Sequence, residues 1–129
     1  MAYNILIVDD SETIRAVLLK TINMSGIEVN QLFEAENGQI ALDMLENNWI
    51  DIVFADINMP VMSGIEMVDH MHKTGQINST PVVIVSTEGS QTRVEELMSK
   101  GVRAFVRKPV TPEIFKDTVI DVLGDNSQL

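Results

Sequence analysis

Five short apolar runs, separated by segments of helical period, constrain this chain more than any other feature of its sequence. Residues 5–8 (ILIV) are continuously apolar and mostly β-branched, as a strand covered on both faces would be. Ile14, Val17, Leu18 and Ile22 then recur at helical spacing between Ser11 and Ser25, and Gly26 is a stop signal. A second strand is predicted over residues 29–35. Asn37 and Gly38 open a helix with Ala41, Leu42 and Leu45 facing inward, and the third strand follows at residues 52–55. Ile65, Val68 and Met71 mark the next helix, stopped near Gly75. Thr80-Pro81 leads into residues 82–85, the most hydrophobic run of all. Ser90 is placed to cap a helix carrying Val94, Leu97 and Met98, which Gly101 ends. Ala104, Phe105 and Val106 make a fifth strand. Thr111 and Pro112 start the last helix, with proline at its preferred first position, and it is predicted to run to about Leu123.

Strands alternating with helices imply an α/β fold with a mostly parallel sheet covered on both faces. A chain of 129 residues with 45% hydrophobic residues is one domain with a core of its own, read here as residues 1–124 followed by a tail at 125–129. No run of about 18 apolar residues is present, so no membrane span is expected. The start lacks the basic region of a signal peptide, and cysteine is absent, which excludes disulfides and thiolate metal sites. A cytoplasmic protein is the expectation. The net charge of −10 argues against nucleic acid as a partner, because phosphate contacts need clustered Lys and Arg. With nine basic residues in all, a lysine beside a strand end stands out.

Sites in open parallel sheets form beyond the carboxyl ends of the strands. Asp9 and Asp10 follow the first run, Asp56 the third, Ser86 and Thr87 the fourth, and Lys108 and Pro109 the fifth. Each has an ordinary reading. Asp10 or Ser11 would cap a helix, Asp56 would start a turn in FADINMPVMSG, Ser86 and Thr87 would satisfy loop backbone, and Lys108 would be solvated. Their coincidence at adjacent strand ends favours a site. Three carboxylates repel one another unless a cation intervenes, and hard oxygen ligands suit Mg2+. With Lys108 as a clamp for an anionic group and hydroxyls as donors, these are the parts for phosphoryl transfer onto a carboxylate. Asp56, on a strand flanked on both sides, is the natural nucleophile.

At this point the chain resembles, over its whole length, the receiver domain of two-component response regulators, most closely the single-domain chemotaxis regulators. ILIVDD, FADINMPVMSG, PVVIVST and FVRKP carry the resemblance, in family order and spacing. It implies a doubly wound (βα)5 flavodoxin-like sandwich, with the five-stranded parallel sheet in the order 2-1-3-4-5. It implies that Asp56 accepts a phosphoryl group from a histidine kinase. Mg2+ would be held by Asp9, Asp10, Asp56 and the backbone carbonyl of Asn58. Ser86 falls on the hydroxyl position that answers the phosphoryl group, Lys108 on the family's lysine, with a Lys108–Pro109 bond typically cis, and Phe105 on the aromatic switch. Asn58, Thr87 and Glu88 occupy positions that tune dephosphorylation. Two depart from the chemotaxis pattern, Phe105 standing for a tyrosine and Thr87 for a small alanine. Such a protein is not an enzyme in the ordinary sense, catalysing only its own aspartyl phosphorylation and dephosphorylation. The added phosphate, about −1.5 to −2 in charge, would shift populations on a surface around Val94 to Ile114.

The partners implied are the kinase, a flagellar motor switch protein or a phosphotransfer protein, and a phosphatase, with the chain itself a monomer. Since no output domain follows in the sequence, the expected output is a protein contact, with chemotaxis favoured over a place in a phosphorelay. A flavodoxin is the wrong match, since DDSET after the first strand repels an uncomplexed anion. A haloacid-dehalogenase-like phosphatase carries its nucleophile after strand one in a D-x-D pattern, and a phosphorylation-independent binding module would lack site residues. His70 and His72 are two apart on a helix and make a poor metal pair. The eight methionines read as core filler, with Met59 and Met62 near the site, and Trp49 is expected to pack near the end of the second helix.

Overall fold

The computed structural model describes residues 2–87 and 89–124. Its strands are β1 (Tyr3–Val8), β2 (Val29–Ala35), β3 (Ile52–Ala55), β4 (Val82–Ser86) and β5 (Ala104–Arg107). They form one sheet in the order β2-β1-β3-β4-β5, with every neighbouring pair parallel. The helices are α1 (Glu12–Met24), α2 (Gly38–Asn47), α3 (Gly64–Thr74), α4 (Gln76–Ser79), α5 (Gln91–Ser99) and α6 (Pro112–Val119). No helix among the described residues is long and apolar enough to cross a membrane.

The pleat divides the strands between two cores. Leu6, Val8, Val53, Ala55, Val82 and Ile84 face α2, α3 and α5, where Leu42, Met67, Met71 and Leu97 are buried against them. Ile5, Ile7, Ile52, Phe54, Val83 and Val85 face α1 and α6, meeting Ile22, Phe115 and Val119. Phe54 and Phe115 stack with ring centroids 4.8 Å apart, and burial of each ring contributes about 2–3 kcal/mol. The local start signals act as expected. Ser11, Asn37, Ser90 and Thr111 each accept a hydrogen bond from the backbone N–H three residues on, and Ser63 closes a capping box with Glu66.

Several local expectations need correction. Trp49 does not pack against the end of α2. It is 78% exposed, its indole N–H tied to Asp51 Oδ1 at 2.9 Å, because the chain turns back toward β3 directly after α2 and points the ring outward. Ile14 and Val17, expected inward, are 37% and 58% exposed. Ile22 reaches the sheet, whereas the first turns of α1 stand over an open cleft. Met98 is likewise exposed, since Leu97 and half-buried Val94 already fill the inner stripe of α5. The last helix reaches its expected end near Leu123, but it is α-helical only to Val119 and widens to a π-helix over Ile120–Gly124. The short α4 was not anticipated, its four residues being too few to show a period. The expected tail, 125–129, lies outside the described residues. His70 and His72 are both exposed, as expected of surface histidines.

Candidate phosphoacceptor and metal site

The register of the three central strands sets the site. Val8 of β1 pairs with Ala35 of β2 and Ala55 of β3, so the next residues, Asp9 and Asp56, leave the sheet side by side. Asp9 N–H donates to Ala35 O at 3.0 Å and Asp56 N–H to Val8 O at 2.9 Å, which extends the ladder up to the two carboxylates. On the other flank Ser86 pairs with Arg107, and Lys108 N–H donates to Ser86 O at 3.0 Å. Lys108 therefore rises at the same edge. Its peptide bond to Pro109 is cis.

Asp9, Asp10 and Asp56 bring one oxygen each within 4.8 Å of one another. Asp9 is buried, Asp56 half-buried and Asp10 exposed, so the cluster opens to solvent on the Asp10 side. Lys108 Nζ lies 3.0 Å from Asp9 Oδ2 and 3.4 Å from Asp56 Oδ2. Asp56 Oδ1 accepts the Ile57 N–H at 2.8 Å, and Asp9 Oδ1 accepts the Ser11 N–H at 2.9 Å. Burial raises the Asp56 carboxyl above its ordinary value, and Asp9 adds repulsion. The Ile57 N–H and the Lys108 charge pull the other way and do not cancel it. For Lys108 burial disfavours the ammonium, but the hydrogen bond it donates to Asp9 and the two carboxylate charges outweigh it, and its pKa is raised. The amine is a fixed cation in this pocket.

Three crowded carboxylates answered, among the described residues, by a single ammonium leave an excess of negative charge. Their oxygen donors, with an open side for water, fit a hard divalent cation that keeps part of its hydration shell. Beside them a cleft of about 320 Å3 runs from Asp56 and Lys108 along Val17 and Thr21, and its walls are almost wholly apolar.

All but one of the remaining residues predicted for the site can be placed. Asn58 is exposed in the loop after Asp56. Ser86 is 1% exposed at the end of β4, and Thr87, exposed, lines the cleft. Phe105 is half-buried in β5, its ring so close under Gly89 that a Cβ there would meet Cε1 at 2.9 Å. Glu88 lies outside the described residues. Met59 and Met62 are both half-buried near the site.

Sequence reasoning missed three contributors. Gly64 N–H donates to Ile57 O at 2.8 Å, and a Cβ on Gly64 would fall 2.1 Å from Asp56 O, so only glycine lets α3 begin this close to the end of β3. Arg107 reaches back to the carbonyls of Thr87 and Gly89 at 3.4 and 3.3 Å. Arg15 donates to the backbone carbonyl of Asp9 at 2.6 Å and pairs with Glu34 at 2.9 Å. Its one sequence signal was scarcity, a cation one turn into the helix that follows Asp9 and Asp10.

Comparison with known proteins agrees with this fold. Residues 5–120 match the response regulator receiver domain family. A chemotaxis protein CheY homolog of Campylobacter jejuni is 35% identical over 95% of this chain and 94% of its own length. The structure of Vibrio cholerae chemotaxis protein CheY4 is 32% identical, covers 95% of this chain and 100% of its own, and superposes with a TM-score of 0.82. The CheX–CheY–BeF3–Mg2+ complex of Borrelia burgdorferi contains a chain 29% identical, covering 93% of this chain and 88% of that one, with a TM-score of 0.81.

Proposed function

On the premise that the chain belongs to the response regulator receiver domain family, a family of signalling proteins rather than conventional enzymes, we propose that Asp56 is its phosphoacceptor. The observation that carries this reading is the clustering of Asp9, Asp10 and Asp56 with Lys108 at one sheet edge. A phosphohistidine on a histidine kinase is the donor. An oxygen of the Asp56 carboxylate attacks phosphorus, the P–N bond breaks, and the imidazole leaves with the electron pair and takes a proton. Ile57 N–H holds Oδ1, and Oδ2 faces the Lys108 ammonium. Lys108 is thus placed to meet the charge that arrives with the phosphoryl group. Asp9, Asp10, Asp56 and the carbonyl of Asn58 would hold Mg2+, which supplies charge neutralisation for the incoming phosphate.

The output is phosphorylation-dependent protein binding in the cytoplasm. Ser86 answers the phosphoryl group, Phe105 relays its movement, and α5, β5 and α6 form the responding surface. Asn58, Thr87 and Glu88 tune the lifetime of the phosphorylated state. Chemotaxis is the favoured pathway, with a flagellar motor switch protein as target and a phosphatase as a further partner. Curated relatives that carry the chemotaxis name support it, as does a related regulator seen with CheX, BeF3 and Mg2+.

Intact-mass spectrometry after incubation with acetyl phosphate tests the reading. A labile adduct is expected in the wild type, dependent on Mg2+ and absent in Asp56→Asn. An adduct that persists in Asp56→Asn, or none in the wild type, sinks it.

A further inference from the structure

The guanidinium of Arg15 lies between two anchors. Nη1 donates to the backbone carbonyl of Asp9 at 2.6 Å, and Nε donates to Glu34 Oε1 at 2.9 Å. The Arg15 side chain is 14% exposed, against 42% for Glu34, so the contact with Asp9 is on the inner side. The carbonyl it holds belongs to the peptide that joins Asp9 to Asp10, two of the three residues in the carboxylate cluster. That peptide carries the last backbone torsion of Asp9 and the first of Asp10, two of the torsions that set where the two carboxylates project.

The neighbouring contacts close a frame around this one peptide. Arg15 N–H donates to Ser11 O at 3.0 Å, Ser11 N–H donates to Asp9 Oδ1 at 2.9 Å, and Asp9 N–H donates to Ala35 O at 3.0 Å. Glu34, the outer anchor, precedes Ala35 on β2 and pairs with Ile7 of β1. The arginine therefore ties the start of α1 and the edge of the sheet to the turn that carries the ligands. By charge alone it is misplaced. A cation this close to Asp9 opposes the arrival of another cation.

We propose that Arg15 is a positioning residue for the divalent cation, holding the Asp9–Asp10 peptide in the orientation that aims both carboxylates at the metal. The inference rests on the receiver reading above. It deepens that reading by naming a residue that sets metal affinity without touching the metal. Outer-shell partners of this kind are worth roughly 10- to 100-fold in metal affinity.

The sign of the effect separates positioning from charge. Removing a nearby cation would strengthen Mg2+ binding if Arg15 acted only through its field, and would weaken it if Arg15 acts by orientation. Arg15→Lys sharpens the contrast. It keeps the charge but offers one point donor where the planar fork serves two partners.

The experiment is isothermal titration of Mg2+ into the wild type, Arg15→Ala and Arg15→Lys, with thermal unfolding of each to verify folding. Arg15→Ala should bind Mg2+ about tenfold more weakly or worse. Arg15→Lys should fall between it and the wild type. Affinity in Arg15→Ala equal to or tighter than that of the wild type overturns the proposal. If Arg15→Ala does not fold, Arg15→Lys decides, weaker binding supporting the proposal and equal binding overturning it. A wild type that takes up no Mg2+ overturns the metal reading itself, and this inference with it.

Discussion

Lys108 is held more tightly by Asp9 than by Asp56. Its Nζ stands 3.0 Å from Asp9 Oδ2 and 3.4 Å from Asp56 Oδ2, and Asp9 is the more buried of the two carboxylates, with 7% of its side chain exposed against 16%. In the resting protein the ammonium thus balances the carboxylate beside the expected nucleophile, and reaches the nucleophile itself by the longer contact.

Lys108→Met keeps the length of the side chain and removes that balance. The buried Asp9 carboxylate loses its ion-pair partner, and stability at pH 7 should fall by about 1–3 kcal/mol in urea denaturation. The Asp56 carboxyl, deprived of a lowering influence, should titrate higher still when followed by carboxyl 13C NMR. An unmoved Asp56 titration would show that the ammonium is not felt there.

Asp56 makes stability depend on pH in a defined direction. Its folded-state pKa is raised, so the native protein holds this proton more tightly than the unfolded chain does. The stability it contributes is complete below the ordinary Asp value of about 3.9, and is lost as pH rises through the higher folded value. Asp56→Asn should therefore be more stable than the wild type at pH 7, with the gap closing as pH falls toward that ordinary value. Mg2+ should act oppositely, stabilising the wild type more than the variant. A gap that widens on acidification would contradict the assigned direction.

Gly64 is the tightest backbone approach in the site. A Cβ there would sit 2.1 Å from Asp56 O, and the obstacle is backbone, which has nowhere to retreat. Gly64→Ala should cost more than about 3 kcal/mol and displace the Asp56 loop, read by denaturation and by loss of Mg2+ binding. A variant of near wild-type stability would mean the loop yields more easily than its hydrogen bond to Ile57 implies.

Val61 offers a gain. Its φ is 66°, a conformation that a β-branched side chain adopts only under strain, and Met62 N–H closes the turn onto Pro60 O at 2.7 Å. The side chain is 81% exposed, so little packing is lost by replacing it. Val61→Asn should stabilise the protein by about 1 kcal/mol and raise Tm by about 3 °C. A fall in Tm would show that Val61 is not strained.

Much of the architecture was legible because it is written in local periodicity. The strand runs at 52–55 and 82–85 lie where expected, apart from Ser86 joining β4, because a strand buried on both faces admits apolar residues throughout. Ser11, Asn37, Ser90 and Thr111 were readable as caps for a similarly local reason, since each satisfies an N–H only three residues away. Trp49, Ile14, Val17 and Met98 were not. An apolar stripe states which residues can face inward, and the neighbouring elements decide how much of it is covered.

The same division runs through the site. Sequence alone determined that Asp9, Asp10, Asp56, Ser86 and Lys108 end their strands, since period and chain order place a residue along its own element. Tertiary structure alone decided the distances among them. Parallel register puts Val8 beside Ala55 and Ser86 beside Arg107, and pairings between strands tens of residues apart leave no mark on local pattern. It also decided that Lys108 leans toward Asp9, that Gly64 must lack a side chain, and that Arg15 folds back onto the Asp9 carbonyl. These last contacts depend on the directions of side chains across packed layers. Such directions are set by what surrounds a residue in space, and its neighbours in the chain do not specify them.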